Sequence, residues 1–167
     1  VESGGQVSDR GSLAWTGGSA SVTDVTKKLS KSRVHLITVD QGQLRMGDRV
    51  CASVDVSLRD ATRRHHTGTH LLHAALRQRL GTHVRQAGSL VAPDRLRFDF
   101  SHFQPLTADE TRDIERIVNE QVFRNTPVVT DVKNTEDAIK GGAMALFGEK
   151  YGDKVRVVQV EGFSTEL

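Results

Sequence analysis

A cluster of histidines carries the first chemical signal of this sequence. In His65-His66-Thr67-Gly68-Thr69-His70-Leu71-Leu72-His73, His66 and His70 stand four residues apart, and His73 follows three later. On an α-helix that spacing stacks two imidazoles one turn apart on one face, where both can reach a single metal ion. The same spacing arises by chance among solvated or backbone-bonded histidines, so the pair alone leaves a metal site and an ordinary helix surface both open. Zinc takes four protein ligands, or three and a water, and this stretch offers two. Cys51, the sole cysteine, is a candidate partner, but it lies in a strand-like run where a small buried hydrophobe is the ordinary reading.

The elements that must position these residues can be read from spacing and punctuation. Asp60 is placed to cap a helix that runs to about Leu80, with Gly81 as its stop and Leu72, Ala75, Leu76 and Leu80 as its apolar stripe. Ahead of it, residues 1–59 are rich in Gly, Ser and Thr and hold β-like runs at Val34–Val39 and Arg49–Val56, with Gln41-Gly42 as a turn between them. A small β-barrel or meander fits this part. Behind the helix, Leu90-Val91 and Leu96–Phe100 flank Pro93-Asp94 as a hairpin. Thr107-Ala108-Asp109-Glu110 has the form of a capping box, opening a helix in which Ile114, Ile117, Val118 and Val122 share a face. A strand at Val128–Val132, a short helix at Thr135–Lys140 ended by Gly141-Gly142, and a final strand at Val155–Val160 complete the reading. Strands and helices mix without a βαβ rhythm, so the fold class is α+β, with a β-rich part at 1–59 and an α+β core at 60–167.

Composition narrows the function classes. The chain has 167 residues, 37% of them apolar and 26% charged, with 23 basic against 21 acidic side chains. This near-balance does not itself announce nucleic acid, so any such case rests on local clustering. One cysteine excludes an intrachain disulfide and suits a reducing, cytoplasmic setting. No apolar run approaches the roughly 20 residues of a membrane span. The opening Val1-Glu2-Ser3-Gly4-Gly5-Gln6 is neither a signal peptide nor an initiator sequence and reads as a cut through a longer protein. It is Gly-rich without a P-loop pattern, and no ATP-binding motif is visible.

Several motifs, in order, resemble the editing domain of alanyl-tRNA synthetases. They are Glu2–Gln6, the stretch from His66 through Leu80, Gln86-Ala87-Gly88-Ser89-Leu90-Val91, Arg97-Phe98-Asp99-Phe100-Ser101-His102, Gly141–Tyr151 and Gly162–Leu167. Together they cover nearly the whole chain. The last resembles the lead-in to a Cys-Gly-Gly-Thr-His motif, which in this family supplies the other two zinc ligands, and the sequence stops just before it. The resemblance implies a barrel-like β subdomain followed by an α+β sandwich of the kind called the second additional domain of threonyl- and alanyl-tRNA synthetases. It also implies hydrolysis of Ser-tRNA(Ala) and Gly-tRNA(Ala), with His66 and His70 as zinc ligands in a site that this sequence leaves incomplete. The parent enzyme would attach alanine to tRNA(Ala) with ATP bound by an upstream domain, and would dimerise through a C-terminal tail.

Within that resemblance, Thr69, Gln86 and Ser89 match residues of the editing pocket. The Thr69 hydroxyl could read the hydroxyl of a misattached serine, or it could simply bond a backbone carbonyl in its helix. Gln86 donates and accepts at once, which suits a substrate or a water, although a surface amide at a strand end is the bland alternative. Arg63, Arg64, Arg77 and Arg85, with Arg59 and Arg79, crowd the helix with Asp60 the only acid among them. Such a cluster suits phosphates of a tRNA acceptor end, and equally a solvated helix face. Zinc could activate water, polarise the carbonyl or only anchor the tRNA end; the sequence leaves these roles open. Rival readings are a free-standing editing protein with the same chemistry and a zinc- or tRNA-binding module without catalysis. His73 is expected to support or pack, and His35, His65, His83 and His102 to be structural or solvated.

Overall fold

The computed structural model describes residues 4–29, 32–144 and 152–167. Glu2 and Ser3 of the opening motif, and the Ala145 to Tyr151 part of the Gly141–Tyr151 motif, lie outside them. The chain divides into two compact units, Val1–His66 with Leu90–Leu96, and Thr67–Ser89 with Arg97–Leu167. The mixture of helices and sheets bears out the α+β class.

The first unit is built on an antiparallel sheet of β1 (Gly11–Trp15), β2 (Gly18–Leu29), β3 (Ser32–Gln41) and β4 (Cys51–Val54), in the order β3-β2-β1-β4. Its core is Leu13, Ala20, Val22 and Val25, with Trp15 and Ile37 packed against them. At Gly11 a Cβ would lie 2.0 Å from the Ser53 carbonyl oxygen, so glycine is what lets β1 and β4 approach. The consecutive antiparallel neighbours β1, β2 and β3 form a meander, one of the two forms expected for this part, and β3 and β4 end the sheet's strand order. Cys51 corrects an expectation: it is exposed, because β4 is an end strand whose residues are all exposed.

Helix α1 (Val56–Leu80) begins five residues before the start expected from a cap at Asp60. The Asp55 carboxylate accepts hydrogen bonds from the Leu58 backbone N–H (3.1 Å) and the Ser57 hydroxyl (2.8 Å), so Asp55 caps the helix and Asp60 lies inside it. The backbone bond to Leu58, then the Ser57 bond, hold the Asp55 carboxyl below its ordinary value. The far end falls as expected. Gly81 adopts φ +118°, and its N–H bonds the Arg77 carbonyl at 3.0 Å.

Strands β5 (Arg85–Val91) and β6 (Leu96–Ser101) pair as the expected hairpin around Pro93-Asp94. Helix α2 (Ala108–Arg124) carries the complete capping box of Thr107 and Glu110. Ile114 and Ile117 are buried and Val118 packs beside them, but Val122 is exposed. The second unit's main core joins these to Ala75, Leu76 and Val84, with Leu72, Leu80, Phe98 and Phe100 around them. β7 (Val128–Asn134), α3 (Thr135–Lys140), β8 (Lys154–Val160) and β9 (Ser164–Glu166) complete this unit, with strand order β7-β8-β9. β8 is thus not the last strand. The unforeseen β9 alternates buried Ser164, half-buried Thr165 and buried Glu166.

Candidate metal-ligand helix and its supports

In the second unit, His70 and His73 of α1 converge on one carboxylate. β9 pairs with β8 through Val158 and Glu166, and Met144 bridges Glu166 from the other side, its N–H bonding the Thr165 carbonyl at 2.9 Å. This backbone cradle turns the Glu166 side chain inward. His70 Nδ1–H donates to Oε2 at 2.7 Å, and His73 Nδ1–H to Oε1 at 3.1 Å. The Ser164 hydroxyl adds a longer bond at 3.4 Å. Burial pushes the Glu166 carboxyl up, but the hydrogen bonds and charges of His70 and His73 outweigh it and hold the group at about 2. It is therefore an anion, acceptor only, and each imidazole facing it must carry its proton on Nδ1. In a neutral His70 ring, a proton held on Nδ1 puts the lone pair on Nε2, and a carboxylate is the partner that most often fixes that tautomer in a metal-ligand histidine. His73 is 3% exposed, and its ring lies 5.2 Å from that of Phe98. Packing holds it in place.

His66 has a different neighbour in the first unit. The chain ahead of β1 runs alongside the end of β5. Val7 N–H bonds the Val91 carbonyl at 3.0 Å, and Val91 N–H bonds the Gly5 carbonyl at 2.7 Å. Fully buried Val91 anchors this pairing, and Gln6 between the two bonds directs its amide to His66. Arg59 Nη1 donates to Gln6 Oε1 at 2.9 Å. A guanidinium only donates, so the amide oxygen faces Arg59 and the amide nitrogen donates to His66 Nδ1. The neutral His66 ring then carries its proton on Nε2, opposite to His70. For His66 to ligate a metal through Nε2, the Gln6 amide must turn over. For ligation through Nδ1, it must leave. Arg59 also pairs with Asp9 at 3.4 Å and lines a cleft of about 600 Å³ with Asp9, Arg10, Asp24 and Thr62.

The remaining candidates fall as follows. Thr69 is buried on α1 at 6% exposure. Gln86 and Ser89 are half-buried on β5; three residues apart, they fall on opposite faces of a regular strand. The bonds to Glu166 come from His70, His73 and Ser164, and from neither of them. Arg63 and Arg64 are exposed, and Arg63 pairs with Asp60 at 3.0 Å. Arg77 reaches past the end of α1 to the carbonyls of Thr82 (2.7 Å) and Val84 (2.9 Å), which makes it a clamp on that loop. Arg85 is exposed at the start of β5. Among the other histidines, His65 Nδ1 bonds the Ala92 carbonyl at 2.7 Å, and His83 bonds His102. Gln6 and Glu166 are the residues that sequence reasoning passes over, although both sit inside motifs it singles out.

Among the described residues no three of His, Cys, Asp and Glu are grouped closely enough to hold a metal ion. Two imidazoles do not make a zinc site by themselves. No described helix is long and apolar enough to cross a membrane.

No protein-family model matches the chain. Curated relatives do. The chain is 56% identical over all of its 167 residues to the alanine–tRNA ligase of Pseudothermotoga lettingae, covering 20% of that protein. It is 54% identical over 166 residues to that of Acidithiobacillus ferridurans, covering 19%. The corresponding ligase of Thermotoga petrophila is 54% identical over 167 residues, again with 19% covered. The chain thus spans about one-fifth of the length of these relatives. Similarity at this level along the entire chain makes it a segment of an alanyl-tRNA synthetase.

Proposed function

We propose that this segment is the editing module of its synthetase, an aminoacyl-tRNA deacylase that hydrolyses Ser-tRNA(Ala) and Gly-tRNA(Ala). The observation that carries this reading is His70 on helix α1, whose Nδ1 is bonded to the buried carboxylate of Glu166. On this reading the two histidines are half of a zinc-ligand set, completed by groups beyond this chain, in an α+β core of the second additional domain type. The parent synthetase would join alanine to tRNA(Ala) using ATP and would act in the cytoplasm, as a dimer through another region.

The need for such a module follows from size. A pocket built for alanine cannot strongly reject serine, which adds only a hydroxyl, or glycine, which lacks only a methyl. A second site must remove them. Buried Thr69, next to His70, would read the hydroxyl of a misattached serine. Gln86 or Ser89, whichever face of β5 meets the substrate, would position the ester or a water; Arg63, Arg64 and Arg85 would meet tRNA phosphates, as would Arg77 through the donors its loop clamp leaves unused. Zinc, when bound, would supply Lewis acidity or an anchor for the acylated end.

Deacylation of Ser-tRNA(Ala) by the protein with its zinc site complete tests the reading. His70→Ala should abolish hydrolysis while leaving Ala-tRNA(Ala) intact. A His70→Ala protein that still hydrolyses Ser-tRNA(Ala) at the parent rate would defeat the assignment.

A further inference from the structure

A second site of a different kind lies in the second unit, at the mouth of the β5–β6 hairpin. His83 precedes β5 and His102-Phe103 follows β6. The Ser101 hydroxyl bonds the Arg85 carbonyl at 3.5 Å, so the two strand ends lie side by side. His83 Nε2 and His102 Nδ1 are 2.9 Å apart, their ring centroids are 5.1 Å apart, and their planes differ by 20°. A nitrogen-to-nitrogen bond at that centroid distance means the imidazoles meet edge to edge, as a nearly flat plate. Phe103 lies over His83, centroid to centroid 4.4 Å, with planes 24° apart. Despite that contact it is 86% exposed, so its outer face is open.

The plate is held rigidly. Val84 is completely buried in the core, with half-buried His83 in the turn before it and exposed Arg85 opening β5 after it. Gly81 turns the chain at φ +118°, and Arg77 fixes the carbonyls on both sides of His83, those of Thr82 and Val84. An ordered phenyl ring left almost fully in water gains nothing from the hydrophobic effect. Its flat, open face is the form that stacks on a planar ring, and every nucleobase has such a face. The nearby acids are engaged. Asp113 pairs with Arg79 at 2.8 Å, and Glu110 is bonded to the Thr107 cap. Arg85 stands on the same strand end, where a phosphate would follow a stacked base.

We propose that Phe103, backed by the His83–His102 plate, is a stacking platform for an unpaired base of the RNA substrate. It lies outside the histidine cluster at Glu166 and outside every residue set considered above for catalysis. The proposal rests on the tRNA reading of the preceding section for the identity of the RNA, but not on the deacylase chemistry. A protein segment covering Phe103 is the rival occupant.

The test measures binding of fluorescein-labelled tRNA(Ala), and of a single-stranded RNA carrying one 2-aminopurine, to the full chain. Phe103→Ala should weaken binding by about 10-fold, the size expected for one stacked base, without changing the salt slope, because no phosphate contact is lost. Phe103→Trp should bind as the parent does and quench 2-aminopurine. Phe103→Leu should behave like Phe103→Ala, since it keeps apolar bulk but has no ring. Leucine binding as tightly as phenylalanine, or alanine within two-fold of the parent, would overturn the platform; the first outcome would favour a protein occupant. Melting curves confirm that the exposed substitutions leave the fold intact. Single-turnover deacylation separates the two readings. If hydrolysis is absent in the protein with its zinc site complete but the Phe103 series behaves as stated, the deacylase reading fails and the platform stands. If His70→Ala abolishes hydrolysis but the Phe103 series is flat, the reverse holds.

Discussion

Two imidazoles four residues apart on one helix are supported in opposite ways. His70 gives its Nδ1 proton to Glu166, a buried anion. His66 receives a proton at Nδ1 from Gln6, a neutral amide whose orientation is set by Arg59. One support fixes the tautomer that binds metal, and the other fixes its opposite. Equal spacing in sequence therefore does not mean equal readiness. His70 is prepared by a carboxylate whose charge survives burial, whereas His66 must exchange or turn its partner before it can ligate.

The sharpest way to break this comparison is to remove each support in turn. Glu166→Ala leaves two Nδ1 donors facing a cavity in a buried setting, and should destabilise the second unit by about 3 kcal/mol. Gln6→Ala removes one neutral bond at a half-buried position and should cost roughly 1 kcal/mol or less. Urea unfolding of the two variants beside the parent reads both values. If the two costs are equal, the carboxylate holds His70 no more firmly than the amide holds His66, and the contrast fails.

How far the sequence foretold this arrangement depends on whether a feature is local. The capping box at Thr107 and Glu110, the stop at Gly81, the hairpin at Pro93-Asp94 and the helix at Thr135–Lys140 are all written within a few residues, and all appear where expected. The start of α1 is ambiguous in sequence because Asp55 and Asp60 are both acceptable caps, and only the bond to Leu58 tells them apart. The strand-like run around Cys51 suggests burial, but a run cannot reveal that its strand is an edge. The same limit hides Gln6 and Glu166. Their side chains reach His66 and His70 across 60 and 96 residues of sequence, brought there by the bridges at Val91 and Met144. Neither bridge has a periodic signature.

A substitution can also convert one support into the other. Gln6→Glu places a carboxylate at His66 Nδ1 that can only accept, so the imidazole proton should move from Nε2 to Nδ1, as in His70. Long-range ¹⁵N–¹H spectra of the imidazoles show this directly. In the parent, His66 should give the Nε2–H pattern and His70 the Nδ1–H pattern. In Gln6→Glu both should give the Nδ1–H pattern. A carboxylate behind a ligand histidine typically matters by about 10- to 100-fold in metal affinity, so zinc binding to the completed site should tighten in the same variant. A parent spectrum with both rings as Nδ1–H would mean that the Gln6 amide is turned the other way.

The smallest effect concerns Arg59, which acts on His66 through Gln6. Its pair with Asp9 is partly exposed, with each side chain at 38%, so its direct worth is within about 1 kcal/mol. Its role is to choose the orientation of Gln6. Arg59→Ala removes the donor at 2.9 Å from Oε1, and the amide is then free to present either end to His66. The melting temperature should fall by only a few degrees. The His66 nitrogens should nevertheless shift from a single tautomer toward the average of two, while the His70 signals stay fixed. Stability and tautomer thus part company in this variant. If they move together, or if His66 keeps its Nε2 proton without Arg59, the amide is held by something other than the guanidinium, and the chain of control from Arg59 through Gln6 to His66 is broken.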